Sequence, residues 1–248
     1  MHPHAETLWR GPRWTLAILL AVLGMLGPFS IDTYLPAFSG IASSLNASPV
    51  HMQQTLSAYL FGFAFMNLFH GALADSFGRR PVILWGLMAF TLASLGCALA
   101  QNVTQLIVFR AMQGLSCGAG VVVSRAIVRD IFPPTQAQKV MSQITIFFGL
   151  APAIAPILGG WLFVSLGWHS IFWLLTAIGL ALWAVNFKML PESLHASQRQ
   201  PFSIPHLMRG YWQLCTDPRF LLLALASGIP FNGMFLYVLS APAFLGEL

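Results

Sequence analysis

Two ionisable side chains, Asp32 and Arg110, stand inside otherwise apolar stretches of the chain. A carboxyl group can bind and release a proton, and a nearby guanidinium biases that exchange. Within a bilayer each charge costs roughly 2.5–3.5 kcal/mol at the centre of a span, which makes function the first reading. Gln113 and Cys117 follow Arg110 at spacings of three and four and so share its helix face. Such a polar stripe suits the wall of a water-filled cavity, although Gln113 could equally bridge neighbouring helices. Two blander readings stand beside these: Arg110 snorkelling to the outer interface, and Asp32 as a water-exposed helix-end residue just before Pro36. The seven histidines are scattered, without a His–Glu–His pattern, and no acidic pair falls within a span. His70 reads as an interfacial residue rather than a ligand. Neither a metal nor an enzymatic activity is expected.

The composition says what must position these groups. Only 8% of the 248 residues are charged, against about 25% in an ordinary soluble domain, and 57% are hydrophobic. The mean hydropathy is +0.73. So few charges exclude a soluble enzyme, a disordered chain and a nucleic-acid binder. Cys97, Cys117 and Cys215 are odd in number and widely spaced, which implies no disulfide framework. Apolar runs near the ~20 residues a bilayer requires predict seven helices: 14–36, 53–74, 81–100, 106–124, 140–164, 169–187 and 220–241. Eleven of the twelve Lys and Arg residues fall on alternate connections, with Arg110 the exception. This places the amino terminus, and the net charge of +5, on the cytoplasmic side. The first run is too long for a cleaved signal peptide, and further spans follow it.

The organisation is therefore an all-α membrane protein. Residues 1–13 form a cytoplasmic amino terminus, 14–190 a six-helix transmembrane bundle, 191–219 a cytoplasmic linker, and 220–248 the first helix of an incomplete second bundle. The linker holds Pro191, Pro201, Pro205 and Pro218, with a short surface helix expected near 204–214. A chain stopping seven residues after its seventh span looks unfinished. Asp32 lies about 27 Å along its helix from Trp14, and Arg110 about 10 Å from the outer edge, at ~1.5 Å per residue. Both fall in the outer half at compatible levels.

Two further patterns stand out. Between spans 2 and 3, Gly71, Asp75, Gly78, Arg79, Arg80 and Pro81 describe a tight cytoplasmic turn. Gly78 permits a left-handed backbone and Pro81 suits the first turn of a helix. Span 5 carries Gly149, Pro152, Pro156, Gly159 and Gly160. Ala151, Ala155 and Gly159 recur every four residues, as do Pro152, Pro156 and Gly160. Two small-residue columns allow close helix approach, and the prolines remove backbone hydrogen bonds and offer a hinge.

Together these segments resemble the major facilitator superfamily of secondary transporters. The turn from Gly71 to Arg80 looks like its signature between helices 2 and 3. The run from Leu106 to Gly114 is similar to its helix 4 motif, and that from Gly149 to Gly160 to the helix 5 motif of drug–proton antiporters. The sequence around Asp32, Asp75 and Arg129–Asp130 resembles the bicyclomycin/chloramphenicol resistance (Bcr/CflA) subfamily. The resemblance implies proton-driven export of small amphipathic drugs, hence multidrug efflux and antibiotic resistance, across the bacterial inner membrane. The proton gradient would be the energy source, without a cofactor. Asp32 would be the proton and cation site, with Arg110 and Gln113 beside it in a central cavity lined by spans 1, 4 and 7. Asp75 and Arg79, with Gly71, Gly78, Arg80 and Asp130, would form a cytoplasmic gating cluster. The family has twelve helices in two halves with substrate between them, so a complementary carboxyl-terminal half is the expected partner. Phe29, Phe61, Phe65, Phe147 and Phe235 are candidate contributors to an apolar substrate surface. Competing readings are a truncated, non-transporting fragment or half-transporter, a seven-helix receptor, which the cytoplasmic amino terminus disfavours, and an intramembrane enzyme.

Overall fold

Lipid offers backbone N–H and C=O groups no hydrogen-bond partner, so a chain of this composition must satisfy them within helices. The computed structural model describes Trp9 and residues 12–229, and the described residues are helical with short connections. The helices are α1 (Arg13–Asp32), α2 (Phe38–Ser44), α3 (Pro49–Phe77), α4 (Arg79–Ala98), α5 (Val103–Ile131), α6 (Pro134–Leu166), α7 (His169–Met189), α8 (Ile204–Thr216) and α9 (Pro218–Ile229). Local chemistry sets several ends. The Ser48 hydroxyl and the Asn102 side chain accept the orphan N–H groups of His51 and Gln105 at 3.3 and 2.9 Å. Pro49 and Pro134 occupy first turns. Gly78 and Gly167, at φ of +104° and +81°, terminate α3 and α6.

Among the described residues, six helical segments are long and apolar enough to cross a membrane. They correspond to the first six expected spans, most with longer ends. The expected seventh begins in α9, and the rest of it, including Phe235, lies outside the described residues. Span 1 differs most. Instead of ending at Pro36, the chain breaks after Asp32, makes a single 3₁₀ turn at Leu35–Ala37 and continues as α2 to Ser44. The residues from Trp14 to Ser44 thus form one apolar segment of 31 residues, and Asp32 lies inside it rather than at its end. The linker also differs from expectation. Compact packing divides the chain into one unit ending at Pro201 and another starting at Phe202, so residues 191–201 belong to the bundle.

Within the first unit, α5 is the central helix. It packs most extensively on α3, then on α4 and α1, while α6 packs on α1 and α7 on α4. Small residues make the close approaches possible. A Cβ on Gly114 would overlap the Tyr59 carbonyl, and one on Gly62 would come within 2.7 Å of the Ala111 carbonyl oxygen. Where α1 meets α5, a Cβ on Gly120 would sit 2.5 Å from the Leu23 carbonyl oxygen. The two small columns of α6 prove unequal. Ala151, Ala155 and Gly159 are buried, with Gly159 against the Thr33 carbonyl at the break in the first span. Pro152 is exposed, Pro156 and Gly160 only partly buried, and Gly149 exposed with open space around it. Only the first column is a packing seam, because one helix can press a single stripe against its neighbour.

Gly114→Ala and Gly159→Ala should each destabilise the bundle by about 1–3 kcal/mol through overpacking, lowering the melting temperature in detergent. Gly149→Ala should leave it unchanged. Equal melting for all three would contradict the assigned seam.

Candidate functional site

The guanidinium of Arg110 is fully buried. It sits seven residues into α5, about 10 Å from the helix start at ~1.5 Å per residue, yet it does not snorkel. Neighbouring groups solvate it. Nη1 donates to Gln113 Oε1 at 2.7 Å and to the Ser30 carbonyl at 3.4 Å. Its central carbon lies 4.6 Å from the Tyr34 ring centroid and 4.2 Å from that of Tyr59. Desolvated cation–π contacts of this kind contribute ~2 kcal/mol each. Nε and Nη2 have no hydrogen-bond partner among the described residues. Gln113 in turn donates to Ser94 on α4 at 2.7 Å, so it bridges helices. The Tyr59 hydroxyl reaches the Gly27 carbonyl (3.0 Å), Ser30 Oγ (2.6 Å) and Cys117 Sγ (3.0 Å). The Tyr34 hydroxyl pairs with Thr55 at 2.6 Å. Cys117 therefore belongs to this packed network.

Asp32 closes α1 immediately beside this cluster in sequence. It is partly buried and makes no ion pair or hydrogen bond among the described residues. It does not pair with Arg110. The backbone around it is locally rearranged. The N–H groups of Thr33, Tyr34 and Ala37 go to Phe29, Ile31 and Tyr34 carbonyls at 3.0–3.1 Å, and Pro36 offers no N–H. Phe29 is buried and Phe147 partly so, whereas Phe61 is 73% exposed and stacks on Phe65 at 6.1 Å. A separate, almost wholly apolar groove of about 470 Å³ opens among Met66, His70, Trp85 and Leu115. His70, expected at the interface, is instead 3% exposed and packs near Gly118. The small residue on α5 leaves room for an imidazole there.

The turn between α3 and α4 builds a second polar centre. Arg79, mostly buried, donates from Nη1 to Asp75 Oδ1 at 2.5 Å and from Nε to Asp130 Oδ2 at 3.1 Å. One side chain thereby joins the ends of α3, α4 and α5. Glu192, from the stretch expected to be linker, caps α4: its carboxylate accepts the backbone N–H of Arg79 at 2.9 Å and of Arg80 at 3.3 Å. A carboxylate at a helix start satisfies orphan donors and complements the dipole. Gly78 is required twice, by its positive φ and because a Cβ there would collide with Glu192 Oε2. Ser193 donates to Asp130 at 2.9 Å, Gln200 N–H to the Asp75 carbonyl at 3.1 Å, and Arg80 to the Phe187 carbonyl at 2.6 Å. Gly71 has only an ordinary contact, with Val122 at 3.8 Å.

Residues 11–248 match the Major Facilitator Superfamily. The chain belongs to that superfamily. It is 38% identical over 221 residues to the "Bicyclomycin resistance protein homolog" of Haemophilus influenzae, covering 89% of this chain and 56% of that protein. It is 39% identical over 232 residues to the "Uncharacterized MFS-type transporter YdgK" of Bacillus subtilis (93% and 58%). With "Multidrug resistance protein MdtL" of Escherichia coli it shares 37% over 175 residues (71% and 45%). The chain thus spans about half the length of the curated relatives it matches. The crystal structure of the human organic anion transporter MFSD10 (TETRAN) superposes with a TM-score of 0.61 at 22% identity, over 80% of this chain and 53% of that one, a likeness of fold. Superfamily membership and six membrane-length helices make this a multi-pass membrane protein of a transporter family rather than an enzyme.

Set against this superfamily fold, the structure brings Arg110 together with Gln113, and Asp75 with Arg79 and Asp130, and leaves Asp32 unpaired. Tyr34, Tyr59, Ser30, Ser94, Glu192 and Ser193 carry no role in the sequence analysis. Tyr34 lies in the Asp32 segment and Glu192 follows Pro191 directly, but nothing in their spacing signals the contacts they make.

Glu192→Ala should release the 191–201 segment. Loss of a cap and two charge-assisted bonds, about 1–2 kcal/mol, should raise tryptic cleavage after Arg199 roughly 5- to 30-fold. Unchanged cleavage would mean that the segment is held by other contacts.

Proposed function

We propose that this chain forms the amino-terminal half of a secondary transporter that exports small amphipathic drugs from the bacterial cytoplasm across the inner membrane in exchange for protons. It is also our reading that the chain belongs with the Bcr/CflA group. The observation that carries the proposal is a partly buried, unpaired carboxyl, Asp32, at a break in the first span, two residues from both Ser30 and Tyr34, which contact the fully buried Arg110 together with groups of α3 and α5. The names of the Haemophilus and Escherichia relatives support the drug-resistance reading.

In this mechanism Asp32 takes up a proton on one side and releases it on the other. An unpaired carboxyl can exchange a proton without first breaking a salt bridge. Arg110 and Gln113 act as a fixed positive anchor, favouring the charged carboxylate when the two groups approach. The apolar and aromatic surface beside them attracts substrates without directional demands, consistent with broad specificity. The Asp75–Arg79–Asp130 cluster with Arg80, Gly71 and Gly78 serves as the cytoplasmic clasp. Alternating access needs a second half, so the activity is proposed for the assembly containing it.

The test uses the protein expressed from its own locus, in cells lacking other drug exporters. Wild type should lower accumulation of a cationic dye when a proton gradient is present, and Asp32→Asn should abolish that effect with membrane insertion unchanged. Efflux by Asp32→Asn equal to wild type would remove Asp32 as the coupling site. No gradient-dependent efflux of any amphipathic probe by wild type would overturn the transport reading.

A further inference from the structure

Among the described helices, α8 stands apart. At ~100° per residue, Ile204, Leu207, Met208, Trp212, Leu214 and Cys215 fall on one arc of about 160° around the helix. His206, Arg209 and Gln213 occupy the opposite side. The helix has no buried residue, and Trp212 is 72% exposed. Ser203 caps it, with the His206 N–H directed at its hydroxyl at 3.5 Å, so its start is defined by its own sequence. A continuous apolar arc with an indole on it, on a short helix, needs a cover.

Two features on the same segment identify that cover. First, only Asp217 separates α8 from α9, which is apolar over Pro218–Ile229 apart from Arg219 at its start and Ser227, whose hydroxyl bonds back to the Ala224 carbonyl. A helix apolar on all sides belongs inside the membrane. One residue spans at most ~3.6 Å, so the end of α8 stays within that reach of the bilayer boundary. Second, the charge is one-sided. Helix α8 contains no acidic residue, and Arg199, Arg209 and Arg219 outnumber Asp217 through this stretch. That complements the anionic surface of a cytoplasmic leaflet. A protein groove would need neither an adjoining membrane helix nor a basic polar edge.

We propose that α8 is an in-plane anchor, lying in the headgroup region of the cytoplasmic leaflet with its apolar arc toward the acyl chains. Its partner is the lipid surface itself. Helices of this kind sit about 5–10 Å into the headgroup–acyl boundary. The proposal is independent of any transport activity.

Cys215 supplies the probe, because it is exposed while Cys97 and Cys117 are buried. A nitroxide attached to Cys215 of the full chain, reconstituted into phosphatidylethanolamine–phosphatidylglycerol vesicles, reports collision with oxygen from the lipid and with a water-soluble nickel chelate. Met208→Cys and Gln213→Cys, each in a Cys215→Ser background, report a second apolar position and the polar face. The oxygen-to-nickel ratio should be at least roughly threefold higher at 208 and 215 than at 213, as immersion of one face requires. High nickel access on both faces would show α8 in water and overturn the proposal. Poor access of both reagents at 208 and 215 would show protein covering that face, and would overturn it equally. All three sites are on the surface of α8, so labelling does not depend on disturbing a core.

Discussion

A guanidinium sealed from water must find its solvation in the protein, and the demand of Arg110 organises the bundle around it. The partners come from four helices. Ser30 and Tyr34 lie on or just after α1, Tyr59 on α3, Ser94 on α4 through Gln113, and Gln113 on α5. The aromatic contribution depends on backbone proximity, which Gly114 permits by accepting the Tyr59 carbonyl where any Cβ would clash. Charge burial and small-residue packing are therefore one requirement. Removing the glycine moves the ring, and moving the ring strips the cation of part of its shell.

The same logic governs the end of the bundle where α3 turns into α4. Arg79 is buried enough to need two carboxylates, and it takes them from α3 and α5. The backbone N–H groups at the start of α4, left orphaned by the Gly78 turn, are satisfied by Glu192 from beyond α7. In hydrocarbon the helices have no hydrophobic force to hold them together. Polar ties at the two ends supply specificity that packing of apolar faces alone would leave open.

The legible part of this architecture follows from the strength of each signal. Spans could be read because lipid forces long apolar runs and because Arg and Lys sit on alternate connections. The shared helix face of Arg110 and Gln113 could be read from their spacing, but the hydrogen bond between them could not. Tyr34 and Tyr59 could not, since an aromatic residue in an apolar helix carries no periodic mark that it faces a cation. Pro36 looked like the end of a span but marks a break within one, because the 3₁₀ turn and α2 restore helical hydrogen bonding beyond it. Glu192, amid prolines and serines, had the composition of a linker, and its role as a cap arises only when α4 starts beside it. The equivalence of the two small columns in α6 was likewise a property of spacing that packing on a single neighbour breaks.

Helix α5 links the two centres, with Arg110 in one and Asp130 in the other. Twenty residues at ~1.5 Å each separate them by about 30 Å. No proline interrupts α5, and its buried surface extends through most of its length, so its ends are held in one rigid frame. The first span is built differently. Pro28 lies inside α1, the ladder breaks after Asp32, and Gly159 presses on the Thr33 carbonyl at that break. A rod carrying the arginine thus packs against a segmented helix carrying the carboxyl. Changes in the Asp32–Arg110 relation would be absorbed where α1 is already interrupted, because bending there loses fewer helical hydrogen bonds than bending α5. The irregular backbone is tolerated at membrane depth for the same reason the arginine is: the protein around it supplies the polar partners that lipid cannot.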